Sequence, residues 1–131
     1  MPYILLIRHG ENSYVGKRLA GRLPDVHLNE QGRQQAEQIA AILAGAPIRA
    51  IYSSPQDRAV ETAQPLAEQL KLPIQIKEGL SEIDFGEWQG RNINQLRRLK
   101  LWKTVQKNPA SMRFPGGESF LEAQQRLVSV V

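Results

Sequence analysis

Three short apolar runs of strand character, residues 3–7 (YILLI), 49–53 (RAIYS) and 74–77 (IQIK), are separated by longer segments whose apolar side chains recur with helical period. Such alternation confines the chain to a layered α/β domain, because each kind of segment has one apolar face that needs a partner layer. After Asn29, an N-cap residue, Ala36, Ile39, Ala40 and Leu43 fall on one helical face, and Gly45 with Pro47 closes the segment. Ser54 followed by Pro55 predicts the start of a second helix carrying Ala59, Ala63, Leu66 and Leu70. A third is expected over residues 94–106, through Leu96, Leu99, Trp102 and Val105, ahead of the loop NPASMRFPGGES. Ser119 and Glu122 have capping-box spacing before a fourth, with Ala123, Leu127 and Val131. That helix reaches RLVSVV with no glycine, asparagine or cationic cap while apolar residues still arrive in register, a pattern that predicts an element interrupted in the middle.

At 131 residues the chain is long enough for one domain with a real core and too short for two. Lysine and arginine number 17 against 13 acidic residues. The excess is mild and scattered, without the basic run of a nucleic-acid arm, and suits a small anionic ligand better than a nucleic acid. Cysteine is absent, which excludes disulfides, thiolate metal sites and sulfur redox chemistry. The start, MPYILLIRHG, has no basic leader region, its apolar stretch is too short to span a bilayer, and no small-residue cleavage site follows. A cytoplasmic protein is expected.

The first apolar run ends in Arg8, His9 and Gly10. In open α/β sheets ligands bind beyond the carboxyl ends of the strands, where these residues stand. Arg58 falls about one turn into the second helix, close to its positive N-terminal end. Arginine offers paired charge-assisted bonds to phosphate oxygens, and histidine adds a nitrogen nucleophile able to accept a phosphoryl group. Displacement at phosphorus also needs a proton for the departing oxygen. The stretch EGLSEIDFGEWQG supplies Glu78, Glu82, Asp84 and Glu87 in a loop punctuated by Gly79, Gly86 and Gly90, and one of these carboxylates is the expected acid. Each residue has a plainer role open to it. His9 could be structural, Arg8 a loop cation, Arg58 a surface partner of Asp57 or Glu61, and any of the carboxylates a solvated charge. Phe85 and Trp88 are expected in the core or a pocket wall and His27 at the surface or pocket rim. Asn12, Gly21 and Arg22, with Lys17, are candidate substrate contacts.

In this order and at these separations, LLIRHGE, YSSPQDRAVETA, LSEIDFGEWQG and FPGGES resemble the histidine phosphatase superfamily, the phosphoglycerate mutase-like phosphatases, over nearly the whole chain. The resemblance implies a three-layer α/β/α sandwich with a mainly parallel sheet. It implies that His9 becomes phosphorylated, that Arg8 and Arg58 bind the phosphate, that Glu82 donates the proton, and that no metal or organic cofactor takes part. The mutases of the family carry arginine directly after the donor glutamate, tyrosine two residues later, and an asparagine where this chain has Val15. Here those first two positions read Ile83 and Phe85, which points to the phosphatase branch. The family also has a second histidine on a central strand beside the first strand, and no histidine follows His27 here. The resemblance therefore predicts a single domain continued by a strand-helix-strand unit of about 30 residues or more that supplies that histidine. The expected function is hydrolysis of a small phosphorylated metabolite, without nucleic-acid or membrane partners and with homo-oligomerisation left open. A phosphomutase and a catalytically inactive phospho-ligand-binding module are the alternatives.

Overall fold

Asn29 ends an extended segment and turns its side-chain oxygen onto the Gly32 amide at 2.8 Å, which starts helix α1, Glu30–Ile42. Its inner stripe, Gly32, Ala36 and Ala40, is spaced by four residues and small throughout, so a second helix can lie close against it. In the computed structural model, which describes residues 2–131, that partner is α2, Asp57–Leu70. Between the helices runs strand β1, Ile51–Ser53, with Ile51 and Ser53 buried and Tyr52 exposed. After α2 the chain returns as β2, Ile74–Ile76, parallel to β1, with Ile51 opposite Ile74 and Ser53 opposite Ile76. Ala40, Ile51, Leu66 and Ala67 form the buried centre of this half, flanked by Leu43, Ile48, Leu70 and Ile74.

Two helix boundaries differ from the sequence expectation. Helix α2 begins at Asp57 with Gln56 as its N-cap, two residues later than Ser54 and Pro55 suggest. Gln56 stays extended, and its side-chain oxygen accepts the Glu82 amide at 3.2 Å, a tertiary bond that competes with local capping. The expected helix over 94–106 is split into α3, Ile93–Leu96, and α4, Lys100–Lys107. Asn92 caps α3, accepting the Asn94 amide at 2.8 Å, and the extended backbone of Leu99 resets the direction before α4. The break allows Leu96 to be fully buried while Trp102 stacks on Trp88, ring centroids 6.0 Å apart. Trp88, Leu96, Met112 and Phe114 make a second buried cluster, joined by Phe85, Trp102, Val105 and Phe120. Helix α5, Phe120–Val130, opens with the expected capping box between Ser119 and Glu122 and buries Ala123.

The largest departure concerns residues 3–7, read from the sequence as a buried strand. Among the described residues the sheet has two strands, and this run pairs with neither. Ile4 is 65 % exposed and Leu6 88 %. Strand composition supplies apolar side chains but no ladder partner, and Tyr52 and Ile76 are likewise exposed. The architecture is thus α/β, with a parallel pair of strands and helices packed on it. No helix among the described residues is long and apolar enough to cross a membrane.

Candidate active site

His9 is half-buried at the end of the extended run, and its Nδ1 lies 2.7 Å from the Gly10 carbonyl oxygen. A carbonyl can only accept, so this contact selects the tautomer with the proton on Nδ1, in which a neutral ring presents the Nε2 lone pair. The next residue is pinned from α2. The Gly10 amide donates to Thr62 Oγ1 at 2.9 Å, and that hydroxyl donates to the Arg58 carbonyl at 2.6 Å. Helix α1 holds the other side, with Gln35 accepting the Glu11 amide at 2.9 Å and the Asn29 amide donating to the Glu11 carbonyl at 3.0 Å. The histidine turn is fixed between the N-terminal halves of two helices.

Arg58, the second residue of α2, is only 3 % exposed. Its Nη2 donates to the Gly21 carbonyl at 2.7 Å, while its Nη1, also buried, has no partner among the described residues. Burial lowers the guanidinium's affinity for its proton, opposed by the carboxylates of Glu82 and Asp57. An arginine remains cationic even so, and leaving one of its N–H groups unpaired in the interior is costly. The plainer reading of Arg58 as a surface ion-pair partner is excluded by this burial.

Glu82 separates itself from its three neighbours on the same loop. It is the loop carboxylate whose charge acts on Arg58, and its own Oε1 accepts the Ile83 amide at 2.8 Å. Asp84 is committed to a turn, accepting the Gly86 amide at 2.9 Å, and Glu78 and Glu87 are exposed. The remaining predicted residues fall into different settings. Arg8 is exposed and makes no side-chain hydrogen bond or ion pair among the described residues. Asn12 is buried, with its side-chain oxygen accepting the Tyr14 amide at 2.9 Å inside a turn. Gly21 contributes its carbonyl to Arg58. Arg22 donates from Nε to the Glu82 carbonyl at 2.8 Å and lies 3.4 Å from Glu118. Lys17 is exposed, and its carbonyl accepts the Ile93 amide at 2.9 Å. A shallow cleft bordered by Arg22, Pro24, Gln56, Asp57 and Ser81 opens beside these groups.

Several contributors escape a reading of the sequence. Thr62 carries a weak signal, since it follows Arg58 by one helical turn on the same face. Gln56, Glu118 and Arg126 reach the Glu82 loop from distant segments, and local pattern gives no sign of it. His27, exposed as expected, turns Nδ1 onto Glu61, whose other oxygen accepts the Leu28 amide at 2.8 Å. Asp25, His27 and Asp57 bring potential metal-ligand atoms within 4.8 Å of one another. Asp57 accepts the Asp25 amide at 2.9 Å, so a hydrogen bond between the first residue of α2 and the Asp25 loop already accounts for that proximity.

A buried guanidinium whose Nη1 has no partner among the described residues thus lies one helical turn before the threonine that anchors the Gly10 amide, an arrangement able to receive an anion. The chain belongs to the histidine phosphatase superfamily (branch 1), whose sequence profile matches residues 4–131. It is 36 % identical over 124 residues to phosphoglycerate mutase-like protein 4 of Arabidopsis thaliana, covering 91 % of this chain and 54 % of that protein. It is 32 % identical over 134 residues to phosphoserine phosphatase 1 of Hydrogenobacter thermophilus, covering 97 % of this chain and 61 % of the relative. Among solved structures, a mycobacterial glucosyl-3-phosphoglycerate phosphatase superposes with a TM-score of 0.83 at 32 % identity, covering 93 % of this chain and 58 % of that one. The chain thus spans little more than half the length of the relatives it matches.

Proposed function

We propose that this protein is a phosphomonoester hydrolase that works through a phosphohistidine on His9. The observation that carries the reading is the buried Nη1 of Arg58, unpaired among the described residues, one helical turn before the Thr62 that anchors Gly10. In this reading Arg58 and Arg8 hold the phosphate oxygens while His9 Nε2 attacks phosphorus. The N–P bond forms as the bond to the ester oxygen breaks, and Glu82 gives its proton to the departing alkoxide. Water then takes the phosphoryl group from nitrogen, with the Glu82 carboxylate accepting its proton. Asn12, Gly21 and Arg22 border the substrate, Gly21 and Arg22 acting partly through the groups they hold. The substrate is a small phosphorylated metabolite, the compartment the cytoplasm, and no metal or organic cofactor enters.

In the whole protein we place residues 3–7 as an inner strand of a three-layer α/β/α sandwich. Support comes from the exposure of that run and from the greater length of the relatives. The deciding experiment is rapid-quench mass spectrometry during turnover of a generic phosphomonoester. An acid-labile phosphoryl group on His9, abolished by His9→Ala, is expected; label on another residue sinks the mechanism. A second reading, a phospho-ligand-binding module without turnover, would use the same buried Arg58. Phosphate affinity without hydrolysis would identify it. Transfer of the phosphoryl group to an alcohol in place of water would identify a mutase, a reading that Ile83 and Phe85 weaken.

A further inference from the structure

Besides Arg22 and Gln56, which bond the Glu82 backbone itself, an arginine on α5 and its ion-pair partner Glu118 hold the loop on both sides of that residue. Arg126 donates from Nη1 to the carbonyls of Gly79 and Ser81, each at 2.8 Å, and its Nη2 lies 3.5 Å from the Glu82 carbonyl. The same guanidinium is gripped by Glu118, with Nε to Oε1 at 2.8 Å and Nη2 to Oε2 at 3.0 Å. Glu118 Oε2 also accepts the Asp84 amide at 2.9 Å, so the pair touches the backbone on both sides of Glu82. Helix α5 presses on the start of the loop as well, since a Cβ built on Gly79 would lie 2.1 Å from a methyl carbon of Val130.

We infer that Glu118 and Arg126 are positioning residues that fix where the Glu82 carboxyl meets the leaving group. The inference rests on the proposed role of Glu82 and assigns the pair no contact with substrate. Three features support it. The ion pair is largely shielded, with side chains 17 % and 21 % exposed, where a bidentate carboxylate-guanidinium contact is geometrically specific. Arg126 holds the Glu118 carboxyl below its ordinary range, so the pair stays ionised as the pH falls toward that of ordinary carboxylates. The bonds end on backbone carbonyls and an amide of residues 79–84, so they constrain the path of the loop; neither residue hydrogen-bonds the Glu82 carboxyl, whose charge reaches Arg126 through space.

The test compares Arg126→Met and Glu118→Gln with the parent on an alkyl and an aryl phosphomonoester. A misplacement of about 1 Å costs on the order of 10²-fold, and general-acid help is needed only for the basic alkoxide. Both variants should therefore lose about 10²-fold in kcat on the alkyl ester, with KM unchanged and the aryl ester nearly unaffected. In a Glu82→Gln background the same substitutions should cost almost nothing further. Equal losses on both esters, or full losses in the Glu82→Gln background, overturn the inference. If Arg126→Met does not fold, the near-isosteric Glu118→Gln carries the comparison. If Glu82→Gln itself shows no dependence on the leaving group, the role of Glu82 falls, and amide hydrogen exchange judges the clamp. Faster exchange over residues 79–84 in Glu118→Gln, with α1 and α2 unchanged, upholds the clamp; unaltered exchange there overturns it.

Discussion

Gly10 lies against the backbone of Gly32. A Cβ on Gly10 would stand 2.6 Å from the Gly32 carbonyl oxygen, and one on Gly32 would stand 2.1 Å from the Glu11 carbonyl oxygen. Backbone on backbone leaves no flexible side chain to yield, so the histidine turn and the first turn of α1 share one fixed separation.

Gly32→Ala should consequently destabilise the fold by about 1–3 kcal/mol or more, although alanine is the better helix former. Urea unfolding reads this as a lower midpoint at unchanged slope. A midpoint equal to that of the parent would mean that the contact is loose.

Arg58→Met tests the buried cation. Methionine removes both a desolvated charge, which is costly to bury, and one charge-assisted hydrogen bond to Gly21; the two effects oppose each other, so stability should change by no more than about 1 kcal/mol. Inorganic phosphate should raise the melting temperature of the parent, since a ligand at 100 times its Kd adds about 2.7 kcal/mol, and this increment should vanish in the variant. A variant still stabilised by phosphate would place the anion elsewhere.

His27 gives a pH dependence. Its hydrogen bond and charge contact with Glu61 raise its pKa above the ordinary 6.5. A raised folded value means that the proton binds more tightly in the native state. The stabilisation is therefore full below about pH 6.5 and disappears as the pH climbs through the raised value. The stability difference between the parent and His27→Gln should shrink between about pH 6 and about pH 8, read from urea midpoints at both. A difference that grows with pH would reverse the assignment.

How much of this was legible in the sequence follows from the range of the interactions. The Asn29 cap and the Ser119–Glu122 box are bonds across three residues, and both appear in the structure where the spacing puts them. The order β1, α2, β2 follows from the alternation of short apolar runs with helical period, and the parallel pairing agrees with what the family resemblance implies. Residues 3–7 are unpaired and exposed in this chain because a continuous apolar run reports an appetite for burial, whereas pairing depends on what lies alongside. The split at Arg97–Leu99 is not signalled by helical period, which does not report that Leu96 is buried while Trp102 stacks on Trp88. At the site, His9, Arg58 and Glu82 were picked out by motif, but what restrains them was not. Thr62 reaches 52 residues back to Gly10, and Arg126 reaches 45 residues back to Ser81, distances over which no local pattern carries information.

The two buried clusters share no residue. One joins α1, α2 and the strands, and the other joins Trp88 to the helices that follow it. Arg58 belongs to the first body and the Glu82 loop to the edge of the second, bridged by Gln56 and Arg22. Cooperative units defined by separate cores open with separate free energies. Native-state hydrogen exchange should resolve two populations of slow amides, and a Leu96→Ala cavity, worth about 2–5 kcal/mol, should lower the protection of the second alone. The proposed acid and the proposed anion anchor would then ride on bodies that breathe independently, so the distance between them is a fluctuating coordinate whose spread is set by the weaker core.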